Sequence, residues 1–144
     1  MTWRPMTSTD IDCVFAIAES TWGAEYYESP EVFEQRLEWW PAGCWMYKDQ
    51  GYLISHPAQV RCPPKLDRFL RYDYTDCYHI HDIMLLPELR GQGIAKQILS
   101  RFYDWPVVTL VAANNTESYW ANQGFKEEFN FEYGTYMIKN DYGN

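Results

Sequence analysis

Residues 83–96, Ile-Met-Leu-Leu-Pro-Glu-Leu-Arg-Gly-Gln-Gly-Ile-Ala-Lys, constrain the fold more than any other stretch of the chain. An apolar run of strand character, 78–86, stops at Pro87, which has no N–H to give to a ladder. Two glycines, Gly91 and Gly93, then open a stretch in which Ile94, Ala95, Ile98, Leu99 and Phe102 recur at helical spacing. The pattern predicts a helix over 91–103 and a buried strand over 107–112. A strand, a helix and a second strand in such close succession place the two strands side by side and parallel.

The remaining elements assemble around that unit. Residues 2–5 read as a short strand. Ser8 or Thr9 caps a helix carrying Ile11, Val14, Phe15 and Ala18 on one face. Ser29-Pro30 opens a second helix, which Pro41-Ala42-Gly43 ends. Strands are expected at 44–48 and 52–56 around Asp49-Gln50-Gly51, with a short helix near 66–70 in the long connection that follows. A helix at 116–123 stops at Gly124, and strands at 125–131 and 135–139 flank Tyr133-Gly134. The order β-α-α-β-β-β-α-β-α-β-β is that of an α/β or α+β fold with a mixed sheet. At 144 residues, residues 1–144 are expected to form one domain.

Charge narrows the partners. The formal net charge is -8 and both halves of the chain are acidic, which disfavours nucleic acid and anionic membranes and favours cations such as protonated amines. Cys13, Cys44, Cys62 and Cys77 have no redox or zinc-finger spacing. Arg4, Asp10, Asp12 and Glu19 interrupt the first twenty residues, which an apolar signal segment does not tolerate. The expectation is a cytoplasmic chain with reduced thiols.

Against this acidic background the 83–96 turn reads as an anion site. Glycines let the backbone approach a ligand, the first N–H groups of a helix lack internal partners, and Arg90 and Lys96 add local positive charge. Lys96 stands where a dinucleotide fingerprint needs its third glycine, and the Gly-Lys-Ser/Thr of a P-loop is absent.

Arg90-Gly91-Gln92-Gly93-Ile94-Ala95 resembles the Arg/Gln-x-x-Gly-x-Gly/Ala pyrophosphate loop of the GNAT superfamily of acetyl-CoA-dependent N-acetyltransferases. The 114–125 segment, ending in Gly124-Phe125, resembles that family's second cofactor segment, and Trp3-Arg4-Pro5-Met6-Thr7 with Asp10 is similar to its opening strand and helix. Ser55-His56-Pro57 and His81-Asp82 resemble a bacterial-type branch. The resemblance implies a GNAT-like sheet, mixed and mostly antiparallel, with a central parallel strand pair and helices on both faces. It implies acetyl-CoA as cosubstrate and no metal. The backbone of Ile83, Met84 and Leu85 would pair with pantetheine. The N–H groups from Gly91 through Gln92, Gly93, Ile94 and Ala95 to Lys96 would hold the pyrophosphate, with Arg90 beside them. The Leu85 N–H would polarise the thioester carbonyl, and Asn114 or Asn115 would reach the cofactor.

The proton chemistry is less uniform. The resemblance implies a tyrosine acid four residues before Gly124, where this chain has Trp120. Tyr119 is the candidate acid and Trp120 a wall of the cofactor pocket. For the base, strand alternation sets His79 and His81 on one face and Ile80 and Asp82 on the other. His81 or Asp82 is the expected proton acceptor. His79-x-His81 also matches a metal pair, with His56 or Cys77 as a further ligand. Trp22, Tyr26 and Tyr27, among Glu25 and Glu28, suit a cationic acceptor, as do Tyr72, Asp73, Tyr74 and Asp76. The expected function is direct acetyl transfer to a small cationic or peptide amine by a monomer or homodimer. The alternatives are a non-catalytic acyl-CoA-binding module and a metal-dependent hydrolase.

Overall fold

The computed structural model describes residues 2–140. Strands β1 (Trp3–Pro5), β2 (Cys44–Tyr47), β3 (Gly51–Ala58), β4 (Cys77–Leu85), β5 (Val107–Ala112), β6 (Lys126–Phe131) and β7 (Gly134–Asn140) form one sheet in the order β1-β2-β3-β4-β5-β7-β6. β4 and β5 run parallel; every other neighbouring pair is antiparallel. Helices α1 (Ile11–Trp22) and α2 (Pro30–Trp39) lie on one face, and α3 (Ile94–Leu99) and α4 (Glu117–Ala121) on the other.

Side-chain alternation builds the two cores. Ile11, Val14, Ile17, Phe33 and Leu37 of α1 and α2 bury against Met46, Tyr52, Ile54 and Met84. On the opposite face Ile94, Ile98 and Leu99 of α3 pack with Leu53, Tyr78, Ile80 and Leu110. Each large aliphatic side chain fully buried in this way contributes roughly 1.5–3 kcal/mol of transfer free energy. The buried indole N–H of Trp3 donates to the carbonyl of Ile94 (3.0 Å), so the first strand is tied to the first turn of α3.

Four local expectations are corrected. The helix expected over 91–103 covers only Ile94–Leu99, because Gly91 and Gly93 take φ values of +78° and +75° and cannot belong to a right-handed helix. Its far end tightens into i→i−3 bonds from Arg101 to Ile98 and from Phe102 to Leu99. No helix forms near 66–70, since Asp67 sits at φ +57°. The Asp10 carboxylate, not Ser8 or Thr9, organises the entry to α1. It accepts the Thr7 N–H (2.8 Å) and a bidentate pair of bonds from Arg4 (2.9 and 2.8 Å). The last hairpin turns at Glu132-Tyr133, and Gly134 already pairs with Phe131. A Cβ on Gly134 would lie 2.0 Å from the Ala112 carbonyl oxygen, so close strand approach is what requires glycine there.

Candidate active site

The parallel pair determines where the site lies. β4 meets β5 only at Tyr78, His79 and Ile80, opposite Val108, Thr109 and Leu110. Beyond Ile80 the strands part, and a cavity of about 650 Å³ fills the gap. Ile83 and Leu85 line it from β4, and Leu110, Val111, Ala113 and Asn115 line it from β5 and its continuation. The β4 edge facing this gap carries no ladder partner from His81 to Leu85, which leaves main-chain groups for an extended ligand.

At one end the cavity meets the glycine turn. Gly91, Gly93, Ile94 and Ala95 line it, and a Cβ added at either glycine would have no atom within 4 Å. The glycines therefore serve the positive φ and an open approach to the backbone. The bond from the Gln97 N–H to the Gly93 carbonyl (3.3 Å) closes the first turn, so the N–H groups of Ile94, Ala95 and Lys96 have no intrahelical partner. Arg90 folds back on β4: its Nε donates to the Leu85 carbonyl (3.2 Å) and Nη2 approaches the Met84 sulfur (3.6 Å). Gln92 bonds outward to the Glu88 carbonyl (3.1 Å), and neither it nor Lys96 lines the cavity. Trp120, buried, and Tyr119, half in solvent, stand edge to face (5.0 Å) and both line the cavity.

The other end is built by a β-bulge. Ile54 of β3 faces Asp82, yet the next residue, Ser55, faces Ile80, so His81 is an extra residue in β4. This corrects the expected alternation. His81 and Asp82 both turn to the α1/α2 side, where Trp22 Nε1 donates to Asp82 Oδ1 (3.1 Å) and the Tyr52 hydroxyl donates to Oδ2 (2.6 Å). Burial raises the Asp82 carboxyl to about 6, against the opposing hydrogen bond from Tyr52 and the field of His81. It remains mostly ionised near neutral pH and can accept a proton.

His81 lines the cavity beside Glu28 and is committed to that carboxylate. Its Nε2 lies 2.7 Å from Glu28 Oε1, with both side chains buried. Burial raises the Glu28 carboxyl, but His81, aided by Arg36 and the Asp67 N–H, holds it below the ordinary carboxylate value. The second Glu28 oxygen accepts the Asp67 N–H (3.1 Å), and Asp67 Oδ1 accepts the Ser29 N–H (2.9 Å). This clasp lays the long 59–76 connection beside the cavity, with Leu66 in its wall. His56 and His79 gather beside His81 at ring separations of 5.6–6.3 Å, but burial drives both well below the ordinary imidazole value. The free cysteine Cys77 bonds to the Ala58 carbonyl (3.3 Å). Among the described residues no group of three or more His, Cys, Asp or Glu side chains is arranged to hold a metal ion.

The aromatic loop divides. Trp22 and Tyr26 pack together with tilted rings (5.2 Å) and line the cavity, while Tyr27 packs edge to face with Phe15 (6.0 Å) and is 45% exposed. Of the second aromatic cluster, Tyr72 packs against Trp39 and His56, and Asp76 accepts the Val60 N–H (2.8 Å); neither lines the cavity. Beyond Tyr26 and Tyr133, a polar cavity of about 360 Å³ carries Glu25, Glu117 and Glu132.

A sequence profile of the Acetyltransferase (GNAT) family matches residues 12–125. The chain belongs to this family. Solved structures agree at the level of fold. Ard1 from Thermoplasma volcanium superposes with a TM-score of 0.73 at 13% identity, over 96% of each chain. The NatC complex bound to Gag peptide and CoA gives 0.70 at 13%, again over 96% of each chain. A GNAT-like decarboxylase, GphF in complex with isobutyryl-CoA, gives 0.73 at 12%, over 97% of this chain and 99% of that one. No curated protein matches the sequence at a significant level.

Two parts of this GNAT site were not assigned from sequence. Tyr52, fully buried on β3, reaches Asp82 only because the bulge brings Asp82 round to its face, and a bulge leaves no composition signal here. Glu28 was visible as an acid among aromatic residues, but its buried pairing with His81 joins positions 53 apart in sequence.

Proposed function

We propose that this GNAT chain is an N-acetyltransferase that moves an acetyl group from acetyl-CoA directly to a small cationic amine. The observation that carries the reading is one continuous cavity with a glycine turn at one end and a buried, ionisable carboxylate at the other. Related folds bound to CoA with a peptide, or to isobutyryl-CoA, support an acyl-CoA ligand in the gap between β4 and β5. Acetyl-CoA supplies the acetyl group as an activated thioester.

The chain's own residues divide the work. Backbone groups of Ile83, Met84 and Leu85 pair with the pantetheine arm as an added strand would. The N–H groups of Gly91 to Lys96 and the Arg90 charge hold the pyrophosphate. The Leu85 N–H polarises the thioester carbonyl. Trp22 and Tyr26 hold the ammonium by cation–π contact, and Asp82 takes its proton. The neutral amine nitrogen then bonds to the carbonyl carbon; as the carbon–sulfur bond breaks the nitrogen gives up its second proton to water, and Tyr119 or water protonates the departing thiolate. Four free cysteines fit a reducing compartment, and we place the enzyme in the cytoplasm. Among the described residues no helix is long and apolar enough to cross a membrane.

Thiol release from acetyl-CoA that depends on an added amine tests this reading. Release across a panel of mono- and polyamines is expected. Trp120, standing where the family resemblance implies a tyrosine acid, favours the second reading, a non-catalytic acyl-CoA-binding module. Coenzyme A binding without release from any amine or peptide establishes that module instead. Gly93→Val forces a β-branched residue to φ +75° and fills the open approach, so calorimetry is expected to show at least a tenfold loss of CoA affinity. Unchanged affinity refutes the pyrophosphate assignment.

A further inference from the structure

The bulge at His81 aims Asp82, but a bulge alone does not stay in place. An extra residue lacks a partner across the ladder, and a one-residue slip sends each side chain to the opposite face. Such a slip would return Asp82 to the alternation expected from the sequence, away from Tyr52 and Trp22. Something must therefore hold the extra residue.

Among the described residues the one side-chain hydrogen bond of His81 runs to Glu28, 2.7 Å from Nε2, with 1% and 3% of the two side chains exposed. Glu28 is itself fixed. It stands immediately before Ser29 and α2, and its second oxygen is held by the Asp67 N–H within the Ser29–Asp67 clasp. The other ring nitrogen of His81 is buried without a partner. His81 lines the cavity, yet its Nε2 cannot serve a ligand there without abandoning a buried carboxylate, which is a costly exchange.

We infer that Glu28 is a positioning residue: it pins the β4 bulge through His81 and so keeps the Asp82 carboxylate turned into the acceptor end of the cavity. The inference builds on the reading of Asp82 as proton acceptor, but the pin itself is a statement about geometry. It gives the buried histidine a role different from that of a base.

Nuclear magnetic resonance on the ligand-free protein separates the pin from simple electrostatics. The groups facing Asp82 are Trp22 from α1, Tyr52 from β3, His81 beside it, Glu28 from the α1–α2 connection and Tyr133 from the last hairpin. If His81 acted only by its field, His81→Leu would remove a favourable influence and raise the Asp82 midpoint. If His81 is the pinned residue, His81→Leu frees the bulge, Asp82 leaves its buried donors, and its carboxyl midpoint falls towards the ordinary value of about 3.9. The Trp22 indole N–H resonance, which reports the bond to Asp82, is expected to shift in both His81→Leu and Glu28→Leu. His81→Gln retains a donor for Glu28 and is expected to preserve the wild-type indole position.

A raised midpoint with an unshifted indole in His81→Leu overturns the proposal. Should the leucine variants not fold, amide exchange in the wild type decides. A pinned bulge protects the Asp82 amide, opposite Ile54, as strongly as that of Ile80, and exchange at least a hundredfold faster overturns the pin. None of these spectra needs an acceptor. A protein that shows the pinned pattern but releases no thiol with any amine refutes the acetyl-transfer reading and leaves the pin standing.

Discussion

Tyr52→Phe tests the proposed proton acceptor with little disturbance of packing. The phenylalanine ring keeps the volume of a fully buried side chain and its edge-to-face contact with Phe33 at 6.3 Å. What is lost is one hydroxyl donor, 2.6 Å from Asp82 Oδ2. A hydrogen bond to a charged group contributes about 1.5–3 kcal/mol, and each pKa unit corresponds to about 1.4 kcal/mol. Tyr52 donates to the ionised carboxylate and so favours it. Removing that donor raises the Asp82 midpoint from about 6 by roughly one to two units. Only the ionised form can take a proton from the ammonium. The variant is therefore expected to lose most of its activity at pH 6.5 and to recover it towards pH 9. Amine-dependent thiol release measured from pH 5 to 9 reads the acid limb of kcat/KM, and a carbon-13 carboxyl titration reads the same group without an acceptor. An acid limb that stays in place, or moves to lower pH, refutes Asp82 as the base.

Asp82→Asn is expected to abolish turnover while stabilising the fold. The folded value of about 6 lies above the ordinary aspartate value of 3.8. The carboxyl's contribution to stability is therefore fully present below pH 3.8 and is lost as pH rises through 6. Urea denaturation at pH 8 should show the asparagine variant more stable by up to about 3 kcal/mol, with no gain at pH 3.5; a loss at pH 8 contradicts the desolvation argument. His56 and His79 act in the other direction. Their folded values lie well below 6.5, so their stability contribution is present above pH 6.5 and declines as pH falls towards those folded values. Each is expected to cost up to about 1.4 kcal/mol per pH unit in that window. Denaturation midpoints of the Asp82→Asn variant at pH 7.5 and 5.5 check this free of the opposing carboxyl, and equal midpoints refute it.

What the sequence disclosed followed from local rules. Pro87 and the paired glycines marked the end of a strand and an open turn, and Val107–Ala112 was a strand in its own right by length and branching. Residues 100–103 misled because Phe102 keeps helical spacing after the helix has tightened into turns. The Asp82 end of the cavity was less legible for a different reason. Its geometry depends on one inserted residue, and period-2 alternation carried through 79–82 put Asp82 on the wrong face. His79 and His81 looked like a metal pair because their common face was read correctly, but the carboxylate and hydroxyl that occupy one nitrogen on each lie far away in sequence.

The short parallel seam has a mechanical consequence. Two antiparallel blocks, β1–β4 and β5–β7, are joined in the sheet only through Tyr78, His79 and Ile80 against Val108, Thr109 and Leu110. Parallel pairing across a crossover is a late, non-local event in folding, so this seam is the natural plane along which the molecule breathes. A ligand laid against the free edge of β4 would suture the two blocks where the protein's own ladder stops. The chain's resistance to unfolding would then rise with ligand concentration, and the slowest amides to exchange would spread from the two blocks into the seam between them.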